Sequence, residues 1–280
     1  MPGSAGVVLA GGRSSRMGTP KAALEWHGST LLRRTVGILA RATGGPVVVV
    51  RAPGQDLPEL PPDVEVVDDP REGKGPVQGI AAGLGALTDR ADVAFVSSTD
   101  MPFLHPAFVR RVLRAVAEGA DVGLPVARGY PQPLAAAYRT KLASTADRLV
   151  QADRLRPAFL FETCTVSRLD EAALKDDPVL AALDPGLDSV VNINELDEYR
   201  TARSQPGPEI TVQRFGVLAN GHRAPQAVRA ATVAQAATAV GVDFGGHVTA
   251  ALNGDQITRD GQTPLATGDT VFFLSADAGG

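Results

Sequence analysis

The 280-residue sequence predicts an α/β protein: a doubly wound, mostly parallel sheet followed by a smaller α+β domain. Three observations support this prediction. Short all-apolar runs, such as residues 47–50, are typical of strands buried on both faces of a parallel sheet. Segments with apolar residues at helical spacing alternate with these runs, which indicates successive βαβ units. At 204–208 two prolines and a glycine interrupt the pattern, which predicts a linker between domains at 1–203 and 209–280.

The elements follow in order along the chain. In the larger domain we expect strands at 6–10, 47–50, 64–67 and 93–96, and helices over 31–39, 76–87 and 106–118. In the smaller domain we expect strands at 210–212, 248–252 and 270–274. Between the first two of these, Thr232 followed by Gln235 predicts a helix N-terminus, and Gly241 suits the position just after the helix end.

Charge and composition exclude several classes of protein. The 27 basic and 31 acidic residues nearly balance, which argues against a generally basic nucleic-acid-binding surface. A hydrophobic content of 44% is enough for a core and excludes wholesale disorder. No apolar run approaches the roughly 20 residues of a membrane span, and residues 1–10 lack the basic start of a signal peptide. Because the single cysteine, Cys164, allows no intrachain disulfide, we expect a cytoplasmic protein.

A pair of glycines follows the first strand directly. Gly11 and Gly12 stand where that strand ends, and Arg13, Arg16 and Lys21 place three cations within nine residues. Glycine lets backbone N–H groups approach an anion, and neighbouring cations repel one another unless negative charge lies between them. A phosphate-binding loop is therefore the favoured interpretation. The alternative is a surface loop with scattered arginines, and the Gly-Lys-Ser/Thr of a Walker A loop is absent.

Residues 9–21 resemble the Leu-Ala-Gly-Gly-x-Ser-x-Arg-Met-Gly-x-x-Lys signature of nucleotidyltransferases at every specified position. Further motifs resemble those of the molybdenum cofactor guanylyltransferases: Gly75-Pro76-Val77-Gln78-Gly79-Ile80, Asp100-Met101-Pro102-Phe103-Leu104, Pro131-Gln132-Pro133-Leu134 and Asn192-Ile193-Asn194. The resemblance covers residues 5–203 and implies a Rossmann-like nucleotidyltransferase fold. It also implies transfer of GMP from Mg-GTP to the terminal phosphate of molybdopterin, with release of pyrophosphate.

The resemblance assigns roles to individual residues. It implies nucleotide binding by Leu9, Ala10, Gly11, Gly12, Lys21, Asp68 and Asp100, catalytic roles for Arg16, Lys21 and Asp100, and Mg²⁺ ligation by Asp100 and Asn194. Lys21 would hold the triphosphate, and Mg²⁺ on Asp100 would polarise the α-phosphate. Such chemistry needs positioning and charge neutralisation more than a protein nucleophile.

Asp100 also has an interpretation from the residues themselves. It follows the strand at 93–96, so its carboxylate is expected at the same sheet edge as the glycine pair. One carboxylate suits Mg²⁺, which takes its other ligands from phosphate and water. The alternative is an N-cap before Pro102 at the start of a helix. Asn194 could likewise be structural, where a strand ends in a turn.

The choice of nucleotide is left open. Asp68 could accept hydrogen bonds from guanine N1–H and N2–H₂ or from a ribose hydroxyl, or it could form a solvated turn with Asp69. Lys74 could reach phosphate or face water. The Asn that often ends the second strand in the family is replaced here by Val50-Arg51, so both GTP and CTP stay possible. The motifs at 9–12 and 131–134 favour the guanylyl branch.

Other notable residues are better explained by structure. Gly79 and Gly83, four residues apart, favour close packing of a helix on the sheet. The four histidines are isolated, and His105 before Pro106 suits the start of a helix. Cys164 is most simply a small core residue.

Residues 209–280 resemble the ubiquitin-like sulfur carriers, in particular the small subunit of molybdopterin synthase and the thiamine sulfur carrier. The matching features are Thr232-Val233-Ala234-Gln235, Leu252-Asn253-Gly254, Pro264-Leu265 before Gly268-Asp269, and Ala278-Gly279-Gly280. The resemblance implies a β-grasp fold and adenylation followed by thiocarboxylation at Gly280. It implies an adenylating enzyme and the large subunit of molybdopterin synthase as partners. Residues without side chains, Gly279 and Gly280, can enter a narrow active site, whereas a frayed end of a packing domain is the alternative.

Three functions therefore stand for comparison with the structure. The first is a guanylyltransferase fused to a sulfur-carrier domain, with GTP and molybdopterin as substrates. The second is a cytidylyltransferase or another nucleotidyltransferase acting on a phosphate. The third is a non-catalytic platform that carries a sulfur-carrier domain. Neither nucleic acid nor a membrane is expected as a partner.

Overall fold

The computed structural model of the chain describes residues 3–11, 20–70, 73–219 and 224–275. The chain forms two compact units. The first comprises Met1–Leu24 and Leu31–Leu196, and the second comprises Glu25–Thr30 and Asp197–Gly280. None of the described helices is long and apolar enough to cross a membrane.

Strands and helices alternate along most of the chain. The strands of the described residues are β1 (Ser4–Leu9), β2 (Glu25–Trp26), β3 (Ser29–Thr30), β4 (Val47–Arg51), β5 (Glu65–Asp68), β6 (Val93–Ser98), β7 (Val122–Ala127), β8 (Tyr130–Pro131), β9 (Ala135–Arg139), β10 (Val166–Leu169), β11 (Glu209–Arg214), β12 (Gln226–Arg229), β13 (Val248–Leu252), β14 (Gln256–Thr258) and β15 (Thr270–Ser275). The helices are α1 (Leu31–Thr43), α2 (Pro76–Gly85), α3 (Pro106–Ala117), α4 (Ala143–Gln151), α5 (Pro157–Phe161), α6 (Glu171–Lys175), α7 (Pro178–Leu183), α8 (Leu196–Ser204) and α9 (Val233–Ala239).

The first unit is built on a mostly parallel sheet, as predicted. Its strand order is β10-β7-β9-β6-β1-β4-β5, with β8 paired to β7. Strands β5, β4, β1 and β6 are parallel neighbours, whereas β9 runs antiparallel to both β6 and β7. The four parallel strands are those expected from the apolar runs. Because parallel neighbours end at one edge of the sheet, the loops after β1, β4, β5 and β6 share that edge.

Close packing of α2 on the sheet depends on two glycines. A Cβ added at Gly83 would lie 2.4 Å from Val7 Cγ1, and one at Gly79 would lie 3.2 Å from a terminal methyl of Leu9. Real side chains do not approach as closely as the first distance, so Gly83 lets the helix pack against β1. The predicted packing role of both glycines is confirmed.

The second unit has a five-stranded mixed sheet in the order β12-β11-β15-β13-β14. The central strands β11 and β15 are parallel, and the other neighbours are antiparallel. Helix α9 contributes Val233, Ala236 and Ala237 to a core shared with the sheet. Its predicted ends are confirmed: the Thr232 hydroxyl accepts a hydrogen bond from Gln235 N, and Gly241 follows the helix at a φ of 69°.

A short hairpin, β2–β3, belongs to the second unit although it comes early in the chain. Its turn residues His27 and Gly28 both have positive φ, as a two-residue turn between twisted strands requires. Arg203 from α8 donates to both carboxylate oxygens of Glu25, at 2.6 and 3.1 Å, and Trp26 is buried. Partial burial raises the pKa of Glu25, but the Arg203 and Gly28 hydrogen bonds outweigh this and leave that pKa lowered. Sequence patterns do not predict this hairpin.

Candidate active site

Three side chains from distant parts of the first unit meet at the carboxyl edge of its sheet. The ammonium nitrogen of Lys21 lies 3.1 Å from Asp100 Oδ2 and 3.1 Å from Asn194 Oδ1. The side chains of Lys21 and Asp100 are 21% and 20% exposed, so solvent can still reach the group. The predicted shared role of Lys21 and Asp100 requires both side chains to lie on one side of the sheet. The contact between them meets that requirement.

Local structure aims each of the three groups. Lys21 begins a 3₁₀ turn, Lys21–Ala23, directly after Pro20. Asp100 lies two residues beyond β6, and the Ser98 hydroxyl donates to its Oδ1. The backbone N–H of Ile193 donates to the Asp100 carbonyl at 2.9 Å, which fixes the segment that carries Asn194. Asp100 is therefore held through its carboxylate by Ser98 and through its main chain by Ile193.

The turn after Asp100 is also fixed by a side chain of helix α1. Buried Arg34 in α1 donates from Nε to the Pro102 carbonyl at 2.6 Å. Helix α3 begins only at Pro106, where His105 is the N-cap and its Nδ1 accepts from Ala107 N at 3.1 Å. The alternative of Asp100 as an N-cap is therefore wrong, because the helix starts too late for it. The expected helix-start role of His105 is confirmed.

The predicted nucleotide loop is described only at its beginning. Leu9 ends β1, and the N–H groups of Ala10 and Gly11 both donate to the Val50 carbonyl, at 2.8 and 3.3 Å. A Cβ at Gly11 would lie 3.2 Å from the backbone nitrogen of Ala52, so the two chain segments run close together here. The predicted site residues Gly12 and Arg16, with Arg13, lie outside the described residues, as do Gly279 and Gly280.

Asp68 stands at the same edge, at the end of β5. Arg51, its register partner at the end of β4, donates from Nε to Asp68 Oδ1 at 2.7 Å. The adjacent Asp69 accepts a hydrogen bond from Gln78 in α2. These two aspartates therefore have separate partners.

Two other residues of interest have structural partners. Lys74 pairs with exposed Asp153 at 2.8 Å, outside the group formed by Lys21, Asp100 and Asn194. Cys164 packs against the core of the first unit, and its thiol donates to the Leu160 carbonyl at 3.3 Å. Burial, with a smaller effect from Asp121, raises the pKa of Cys164 to about 11. It is partly buried at the margin of the core, rather than inside it as expected.

The donor set at Asp100 fits a hard cation. Its carboxylate and the Asn194 amide oxygen already converge on one cationic nitrogen, and both are oxygen donors of the kind that Mg²⁺ prefers. No cluster of three or more His, Cys, Asp or Glu side chains occurs within the described ranges. A cation bound here would thus need further ligands from a substrate and from water.

Several site residues have no signature in the sequence. Arg34, Arg51 and Gln55 act through long-range hydrogen bonds to backbone or side-chain groups at the sheet edge. Ser98 alone has a local signal, since it stands two residues before Asp100 at the end of an apolar run. Arg51 is marked in the sequence only as a departure from the Asn of the family, and Arg34 and Gln55 look like ordinary surface or helix residues until the fold is known.

Residues 6–166, more than half of the chain, match the family model described as the MobA-like NTP transferase domain. The chain belongs to this family. It is therefore an enzyme of the nucleotidyltransferase class. Probable molybdenum cofactor guanylyltransferases of Mycobacterium tuberculosis and Mycobacterium avium are 42% and 41% identical to it. The alignments cover 59% of this chain and 82% of the first relative, and 52% of this chain and 74% of the second.

Solved structures show the same fold as the first unit of this MobA-like NTP transferase. Molybdopterin-guanine dinucleotide biosynthesis protein A from Archaeoglobus fulgidus has a TM-score of 0.54 at 23% identity, covering 71% of this chain and 96% of that one. A Mycobacterium tuberculosis H37Rv protein has a TM-score of 0.52 at 21% identity, covering 73% and 98%. At these identities the likeness concerns the fold alone.

Proposed function

We propose that this MobA-like enzyme transfers GMP from GTP to the terminal phosphate of molybdopterin. The convergence of Lys21, Asp100 and Asn194 is the observation that carries the proposal, because it joins a cation and two oxygen donors at the sheet edge where β1 and β6 end. Similarity to probable molybdenum cofactor guanylyltransferases supports the choice of acceptor and nucleotide.

Asp100 and Asn194 would hold Mg²⁺ together with phosphate oxygens and water. When bound, the ion neutralises phosphate charge and polarises the α-phosphate. The chain's own contribution is positioning. The glycine turn lets the triphosphate approach the backbone closely, and Lys21 exchanges its oxygen partners for phosphate oxygens.

The transfer itself balances without a protein nucleophile. An oxygen of the molybdopterin phosphate forms a bond to the α-phosphorus of GTP while the bond from that phosphorus to the bridging β-oxygen breaks. The products are the guanine dinucleotide and pyrophosphate. Lys21, close to the developing charge on the leaving group, stabilises it electrostatically.

The test is pyrophosphate release with GTP, Mg²⁺ and molybdopterin. We expect Asp100→Asn, which keeps the shape and removes the charge, to lower turnover by roughly a hundredfold or more. Asp153→Asn is the matched control, since Asp153 also pairs with a lysine but stands apart from the group. Unchanged turnover in Asp100→Asn, or turnover of the wild-type enzyme with CTP alone, would contradict the proposal.

A second function is proposed for the second unit: a β-grasp sulfur carrier. Parallel central strands β11 and β15, helix α9 packed on the sheet, and antiparallel outer strands support this assignment. The chemistry would be adenylation of the Gly280 carboxylate by ATP, with release of pyrophosphate, and then displacement of AMP by a sulfur donor.

Mass spectrometry of the full chain tests the carrier function. After incubation with an adenylating enzyme of this pathway, ATP and a sulfide source, one oxygen replaced by sulfur adds about 16 Da. We expect this gain in the wild-type chain and none after deletion of Gly280. An unchanged mass, with the same adenylating enzyme active on its own carrier, would reject the assignment.

A further inference from the structure

Two residues that no motif identifies connect the predicted nucleotide contacts at the sheet edge. Arg51 at the end of β4 donates from Nε to Asp68 Oδ1 at 2.7 Å and from a terminal nitrogen to the Gln55 carbonyl at 3.2 Å. The side chain of Gln55 donates to the Ala10 carbonyl at 3.0 Å. We refer to Arg51, Gln55, Asp68 and Ala10, with these three bonds, as the Arg51 network.

The Arg51 network fixes backbone as well as side chains. The Gln55 amide oxygen accepts from Ala52 N at 3.0 Å, so both ends of this amide are engaged. The Arg51 carbonyl accepts from Asp69 N at 2.7 Å, which ties the end of β5 to the end of β4. Asp68 is thus anchored through its main chain and through one of its two carboxylate oxygens.

The second oxygen of Asp68 is the informative one. The side chain of Asp68 is 53% exposed. Within the described ranges its hydrogen-bonding partner is Arg51, which donates to Oδ1. The single hydrogen bond from Arg51 to Oδ1 restricts rotation of the carboxylate and leaves Oδ2 as an acceptor. A carboxylate accepts well from guanine, which offers adjacent N1–H and N2–H₂ donors, whereas adenine offers no N1–H.

We propose that Arg51 is a positioning residue that orients Asp68 to select a guanine base. This inference rests on the proposed guanylyl transfer and extends it to the specificity of the same site. Arg51 acts through Asp68. Gln55 connects Arg51 to Ala10, the residue before the glycine turn. A lysine at position 51 could supply charge but not the planar fork that reaches Asp68 and the Gln55 carbonyl together.

The experiment compares binding of GTP, ITP and 2′-deoxy-GTP by calorimetry, with turnover of GTP measured alongside. ITP lacks only the N2 amino group of guanine. In Arg51→Ala we expect the preference for GTP over ITP to fall roughly tenfold, which is the size of effect expected for one well-oriented base contact. The KM for GTP should rise while kcat stays within about twofold, because Lys21 and Asp100 are unaffected. Arg51→Lys should restore only part of the preference.

The matched control is Arg90→Ala. Arg90 pairs with Glu65 at the opposite end of β5, and both side chains are similarly exposed. It should leave the GTP-to-ITP ratio unchanged. An unchanged ratio in both Arg51 variants, an equal change in Arg90→Ala, or a loss confined to the preference for GTP over 2′-deoxy-GTP would overturn the inference. A wild-type enzyme that shows no preference for GTP over CTP would instead reject the proposed guanylyl transfer.

Discussion

The position of Lys21 predicts competition between its side chain and a bound metal ion. The Lys21 ammonium contacts both oxygen donors, Asp100 Oδ2 and Asn194 Oδ1, at 3.1 Å each. A divalent ion at these oxygens must displace that ammonium or stay beside it. Substitution of Lys21 by Met removes the charge and keeps most of the length of the side chain. We therefore expect Lys21→Met to bind Mg²⁺ or Mn²⁺ more tightly when nucleotide is absent.

The magnitude follows from the distance and the exposure. A pair of unit charges 3.1 Å apart attracts by about 5 kcal/mol at an effective dielectric constant of about 20. Both side chains are about one-fifth exposed. Solvent screening and the loss of side-chain entropy reduce the net stabilisation by such ion pairs to about 1 kcal/mol, as double-mutant cycles show. An increase of at least roughly fivefold in metal affinity is expected from that smaller value.

Titration of free enzyme with Mn²⁺, followed by electron paramagnetic resonance, measures this affinity directly. Lys74→Met is the control, since it removes the same charge from another lysine–aspartate pair of the first unit. With GTP present we expect the opposite change, a lower Mn²⁺ affinity in Lys21→Met. The variant loses a phosphate partner and so binds the nucleotide more weakly. Equal or weaker Mn²⁺ binding by nucleotide-free Lys21→Met would refute the idea that Lys21 and the metal share these oxygens.

Three further predictions concern stability and reactivity. Gly83→Ala should lower the unfolding temperature, because overpacking costs about 1–3 kcal/mol and the gain in helix propensity is only about 1 kcal/mol. Gly85→Ala in the same helix is the control: its methyl group meets no neighbour within 4 Å, so this variant should raise the unfolding temperature. Because the pKa of Glu25 is lowered in the folded state, its pair with Arg203 stabilises above the unfolded pKa near 4.5 and is lost as pH falls through the folded value. The unfolding temperatures of wild type and Arg203→Gln should therefore differ at pH 7 and converge at low pH. Burial raises the pKa of Cys164 from 9.0 to about 11. At pH 8 we therefore expect Cys164 to react with a thiol reagent roughly a hundredfold more slowly in the folded chain than in the unfolded chain. Equal rates in the two states would contradict its partial burial.

The parallel part of the first sheet is predictable because its strands carry their own signal. Val47, Val48, Val49 and Val50 form an uninterrupted apolar run, and all four are buried in β4. Strand β9 has no such signal: it consists mainly of alanine, which has low β-propensity, and its position depends on pairing with β6 and β7. Tertiary contacts, rather than local preference, decide that strand and its antiparallel direction.

The candidate site divides in the same way. Lys21 and Asp100 could be placed on one edge because each follows a feature with a fixed direction, a strand end or a loop that leaves one. Arg51 could not, since its interaction with Asp68 arises only when β4 and β5 align in register.

The hairpin at Glu25–Thr30 is a further case, because its contacts with Arg203 and Gln235 span more than 170 residues of sequence. No periodicity in six residues can encode partners so distant. The family signature ends at Lys21, only four residues before this hairpin. Local motifs therefore predict the chemistry of a site, whereas the partners of such a hairpin become visible only in the folded chain.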